Sequence, residues 1–84
     1  MTELEFEVLD HLYFIKHSSE LLDFSTIERD KLLDVLSDLC NKKWIRVFEG
    51  QKELLTIEPN QIREKFESLS FVVTKAGLLA HNLK

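Results

Sequence analysis

The 84-residue chain predicts a single small α+β domain, mostly helical with a small antiparallel β element, in the order α-α-α-β-(β)-α-β-α. Three observations lead to it. Apolar residues recur at helical spacing through the first half of the chain. The composition turns β-branched and aromatic at Trp44-Ile45-Arg46-Val47-Phe48. Beyond Pro59 a helical spacing, a short β-rich run and a second helical spacing follow one another. A chain of this length closes one modest core and has no room for a second.

Thr2 with Glu5 three residues later forms a capping-box pattern, and Leu4, Val8, Leu9, Leu12 and Ile15 then keep the helical period, which predicts a first helix from about 3 to 15. Phe6, Tyr13 and Phe14 add apolar surface beside that stripe, so this helix either lies centrally in the core or packs on a second molecule. His17-Ser18-Ser19 interrupts the pattern and offers hydroxyl caps for a short helix from Glu20 to about Phe24. Ser25 and Glu28 repeat the capping-box spacing ahead of a longer helix that reaches about Lys42. At about 100° per residue, Leu32, Leu33, Val35, Leu36, Leu39 and Cys40 fall on one arc of that helix. Asp30, Lys31, Asp34, Ser37, Asp38 and Asn41 fall on the other.

A strand over Trp44 to Phe48 ends at the turn Glu49-Gly50-Gln51-Lys52, and Glu53 to Ile57 either pairs as a second strand or begins an insertion. Glu58-Pro59 opens a further helix with proline in its first turn, and Ile62, Phe66 and Leu69 give it an apolar edge. Phe71-Val72-Val73 reads as a last strand, after which Thr74 caps a closing helix carrying Leu78, Leu79 and Leu83. No repeat or low-complexity segment interrupts this order.

Charge and composition narrow the function classes. Residues 1–42 hold four Lys or Arg against ten Asp or Glu, whereas residues 43–84 hold seven against five, for a formal net charge of −4. A DNA binder usually has the opposite bias. The longest apolar runs, such as Leu12-Tyr13-Phe14-Ile15, fall far short of the ~20 residues of a membrane helix, and the start is acidic where a signal peptide is basic. A soluble cytoplasmic protein is therefore expected. The lone Cys40 sits on the apolar arc as a small hydrophobe. His11, His17 and His81 have no metal-ligand spacing, and no glycine-rich loop is present to hold a phosphate, so neither a cofactor nor an enzymatic activity is expected.

The stretch from Glu20-Leu21-Leu22 through Ile27 and Leu32, Leu36 and Leu39 to Lys42-Lys43-Trp44-Ile45 resembles the winged helix-turn-helix domain without a gap. Val73-Thr74-Lys75-Ala76-Gly77 is similar to the strand-to-helix junction after the wing in bacterial transcriptional regulators of the multiple-antibiotic-resistance type. The resemblance implies a transcription-regulating, DNA-binding module whose third helix is the recognition helix, with the β element as the wing. The 22 residues between Phe48 and Phe71 imply a wing that is decorated or replaced.

The exposed residues of that helix argue against the family's usual mode, because Asp30, Asp34 and Asp38 bring negative charge toward a polyanion. The aspartate row reads as a solvated face, as a docking face for a basic protein partner, or, least well, as a divalent cation site. The leading expectation is a module acting through protein contacts at Asp30, Asp34 and Asp38. In the alternative, Lys31, Ser37 and Asn41 touch duplex DNA while Lys42, Lys43, Arg46 and Lys52 hold phosphates. For Arg63 the simplest expectation is an ion pair with Glu67 at i, i+4. Leu4, Phe6, Tyr13, Phe14, Leu79 and Leu83 lie at the two chain ends, where winged-helix regulators often dimerise, and are the candidate homodimer contacts.

Overall fold

The helical spacing of the first half closes around one apolar cluster, as the computed structural model, which describes residues 1–24 and 26–83, makes explicit. In chain order the elements are α1 (Glu3–His11), β1 (Lys16–His17), α2 (Ser18–Phe24), α3 (Arg29–Asn41), β2 (Ile45–Glu49), β3 (Lys52–Leu54), α4 (Pro59–Lys65), β4 (Leu69–Val73) and α5 (Lys75–Asn82). A single 3-10 turn, Phe66–Ser68, joins α4 to β4. The strands form one antiparallel sheet in the order β1-β4-β2-β3.

The Thr2–Glu5 capping box forms as the sequence predicts, with the Glu5 amide donating to Thr2 Oγ1 at 3.1 Å and the Thr2 amide donating to Glu5 Oε1 at 2.9 Å. The helix nevertheless ends at His11, four residues short of the predicted boundary. The Val73 amide donates to the Leu12 carbonyl at 2.8 Å, and Lys16 and His17 pair with Phe71 and Ser70, so the chain leaves the helix to edge the sheet. The cap of α2 also differs from expectation. His17, not a serine hydroxyl, precedes the first turn: its Nδ1 accepts from the Ser19 amide at 3.3 Å, while its own amide donates to Glu20 Oε1 at 3.1 Å.

α3 starts at Arg29, after Glu28, and the predicted Ser25 cap lies outside the described residues. Its apolar arc is buried as read, with Leu32, Leu33, Val35, Leu36 and Leu39 inside and Cys40 half-buried. Each such side chain contributes roughly 1.5–3 kcal/mol when fully removed from water. β2 and β4 alternate by strand period: Val47 and Phe71 are paired and face the core, whereas Arg46 and Val72 pair on the other face. Glu53 belongs to β3 and the helix after Pro59 follows it, so the segment supplies both a strand and a helix. Ile62, Phe66 and Leu69 are all buried, but from α4, the 3-10 turn and β4 respectively, not from one helix edge.

One junction fixes α3, β2 and α5 relative to each other. At the end of α3 the Lys43 and Trp44 amides donate to the carbonyls of Cys40 and Leu39, both at 3.0 Å, which is the Schellman arrangement. Its left-handed residue is Lys43, with φ 61°, where glycine is usual. Thr74 locks this strained turn in place: its hydroxyl donates to the Lys43 carbonyl and its amide to the Trp44 carbonyl, each at 2.8 Å. Gly77, whose amide donates to Thr74 Oγ1 at 3.1 Å, rests on the same carbonyl; a Cβ there would stand 2.2 Å from Trp44 O and 2.6 Å from Val73 Cγ2.

Urea unfolding of two variants checks this junction. Lys43→Gly is expected to gain about 1 kcal/mol by relieving the left-handed lysine, whereas Gly77→Ala is expected to lose at least roughly 1–3 kcal/mol by overpacking against backbone.

Candidate functional site

The outer arc of α3 does not stand free. α4 is anchored beside α3 by Ile62 and followed by Phe66, both essentially inaccessible to solvent. From that anchor Arg63 reaches across to α3, donating to Asp34 Oδ1 at 2.6 Å and to Asp30 Oδ1 at 3.4 Å. The Arg63–Glu67 pair expected from sequence does not form, because the helix tightens into the 3-10 turn after Lys65 and the i, i+4 register is lost. Glu67 instead lies 3.6 Å from Arg29, whose guanidinium also sits over the Phe66 ring. Ser37 is engaged locally, its hydroxyl donating to the Leu33 carbonyl at 2.9 Å. Asp30, Lys31, Asp34, Asp38 and Asn41 are exposed, as their arc requires.

Two of the four cations assigned to phosphate contact already have acidic partners. Arg46 makes a two-pronged pair with Glu53 across the β2–β3 hairpin, at 2.6 and 3.0 Å, and lies over Phe48. Hydrogen bonding and charge between the two raise the arginine above its usual value and hold the Glu53 carboxyl below the ordinary carboxylate range. Lys42 spans the Trp44 ring and donates to Glu5 Oε2 at 2.5 Å. Burial alone would push the Glu5 carboxyl up, but the hydrogen bonds and charge from Lys42 and Thr2 outweigh it, and the net shift is downward. Lys43 and Lys52 remain exposed, and Lys43 borders an open cleft of about 430 Å³ with Asn41, Arg46, Glu53 and Leu55.

The candidate dimer contacts divide into two groups. Phe6 stacks on the His81 ring, with centroids 4.0 Å apart, and the Tyr13 hydroxyl lies 2.6 Å from His81 Nδ1, so both serve the α1–α5 seam. Phe14 is 78% exposed, Leu79 56% and Leu83 87%, while Leu4 sits at the margin. Ile15 is exposed as well, because the chain has left the helix before reaching it. His81, Asn82 and Asp10 were not singled out as a unit by the sequence, since 68 positions separate Tyr13 from His81. Their only signal was a polar histidine among the leucines of the closing helix.

No protein-family model, curated protein or solved structure matches the chain. Among the described residues, no helix is long and apolar enough to cross a membrane.

Glu5 makes an acid-side test. Its folded value is depressed, so its contribution is present above the ordinary 4.5 and is lost as pH falls through the folded value. Lys42→Met should therefore cost roughly 1–2 kcal/mol at neutral pH and leave a smaller acid loss. Urea midpoints followed from neutral pH into acid check both expectations.

Proposed function

We propose that this chain is a non-enzymatic winged helix-turn-helix regulatory module that works mainly through protein contacts, with the acidic outer face of α3 docking a basic partner. The order α1, α2, α3, then β2 antiparallel to β4, with β1 on the far edge of β4, supports the resemblance to the winged-helix domain. On this reading β3 and α4 are additions within the wing.

The Arg63 contact carries the proposal. A guanidinium held by Asp30 and Asp34, one helical turn apart, is an internal example of what the row binds. Asp34 and Asp38 repeat that spacing one turn further on, and among the described residues Asp38 makes no ion pair. A partner's arginine placed there would meet the same two-carboxylate geometry. The same contact weighs against groove reading, because a helix entering the major groove needs its flanks clear and α4 borders α3. Lys42, Arg46 and Ser37 are meanwhile occupied within the chain.

The second reading, a DNA-binding transcriptional regulator, rests on the exposed cations Lys31, Lys43 and Lys52 and on Asn41. The two readings part in one experiment. Fluorescence anisotropy of a labelled mixed-sequence duplex, titrated at low salt, is expected to stay flat. Tight binding that weakens steeply with salt would overturn the protein-contact reading and establish phosphate neutralisation by these lysines.

A further inference from the structure

His81 is more than nine-tenths buried in the seam between α1 and α5, and one of its two nitrogens has no hydrogen-bond partner. The ring is fixed on three sides. Phe6 stacks on its face, Tyr13 meets it edge-on at 5.2 Å between centroids, and the Tyr13 hydroxyl lies 2.6 Å from Nδ1. Nε2 points toward Asp10, whose Oδ1 is 3.6 Å away, close enough for charge attraction but too long for a hydrogen bond. The Tyr13 hydroxyl has a second acceptor within reach, Asn82 Oδ1 at 3.3 Å.

We propose that His81, Tyr13, Asp10 and Asn82 form a proton-operated latch between α1 and α5. With the imidazole neutral, the carboxylate of Asp10 favours the proton on Nε2, and the Tyr13 hydroxyl donates to Nδ1. When the ring takes up a second proton, at Nδ1, that nitrogen becomes a donor and can no longer accept from tyrosine. The hydroxyl rotates, accepts from Nδ1–H and donates instead to Asn82 Oδ1. The new positive charge simultaneously draws Asp10 onto Nε2–H. One proton is gained, no covalent bond other than N–H is made, and every polar atom of the cluster then has a partner.

The direction of the effect follows from the surrounding groups. Phe6 and Asp10 lie four residues apart on the same face of α1, so Asp10 is the α1 carboxylate that meets the ring. The Tyr13 phenol is the ionisable group of the segment after α1, and β4, which also touches α5, consists of Leu69, Ser70, Phe71, Val72 and Val73 and has none. The cation thus meets the opposite charge of Asp10, whose Oδ1 lies 3.6 Å from Nε2. The seam is tighter with the ring charged, when Nε2–H and Asp10 attract, and looser with the ring neutral. The latch belongs to the same two segments that carry the exposed Phe14, Leu79 and Leu83.

Amide hydrogen exchange, corrected for intrinsic rates, tests the latch in the full chain at about pH 7.5 and about pH 5.5, on either side of the usual histidine range. Protection of α5 amides relative to α3 amides is expected to rise roughly two- to fivefold at the lower pH, the value of one partly exposed ion pair. Asp10→Asn, which removes the carboxylate at a largely exposed position and keeps the side chain's size, is expected to abolish the rise. Nitrogen NMR of the wild-type ring is expected to find the neutral proton on Nε2. A neutral proton on Nδ1, or an unchanged rise in Asp10→Asn, would overturn the proposal.

Discussion

Leu32, Leu33, Val35, Leu36 and Leu39 of α3 form the wall against which α1, α4 and the sheet close. A helix that buries so continuous an arc has no rotational freedom, so the identity of its outward residues is decided at the same time. Asp30, Asp34 and Asp38 face outward because the leucines face inward. α4 then settles against that helix through Ile62, with Phe66 behind it. Removing either side chain from a full burial of this kind costs several kcal/mol in other proteins, about 2–5 for aliphatic and aromatic truncations. α4 is thereby an integral part of the domain and not a strap that could swing clear of α3.

This packing explains how the charge polarity of the sequence is used. The acidic first half and the mildly basic second half meet in space: Arg63 reaches Asp30 and Asp34, and Glu67 meets Arg29. Within the second half, Arg46 holds Glu53 and Lys65 lies 3.6 Å from Glu49. Exposed pairs of this type contribute between about 0 and 1 kcal/mol each. Their importance lies in placement, because they occupy cations that a duplex would otherwise neutralise and leave the lower end of the aspartate row open. Glu5 differs in being buried, and Lys42 keeps its negative charge compatible with the interior.

Long periodic segments were legible in the sequence and two-residue features were not. The arc of α3, the Thr2 and Thr74 caps and the β2 region follow from side-chain period and capping chemistry, which act over neighbouring residues. β1 escaped because Lys16-His17 is too short to show a period and exists only by pairing with β4. For the same reason α1 was predicted too long: Ile15 keeps the helical spacing, yet the backbone bond from Val73 to Leu12 diverts the chain first. Asp30, Asp34 and Asp38 were legible as exposed positions, but their partner was not, and Phe6 stacks within the chain on His81. Arg63 could be assigned to Glu67 from spacing, whereas its reach to Asp30 and Asp34 depends on where α4 folds back against α3. The His81 cluster, joining both chain ends, left only a polar histidine among the leucines of the closing helix as its signature.

The central claim, that the free end of the aspartate row recognises a basic protein segment, is tested most directly by titrating an arginine-rich peptide into the isotope-labelled protein and following backbone amide resonances. The account predicts that the largest changes fall on Asp34, Asp38 and their neighbours in the last turns of α3, and that Asp38→Asn weakens them. Changes confined to Lys43, Lys52 and the β2–β3 hairpin, or none on α3, would contradict it.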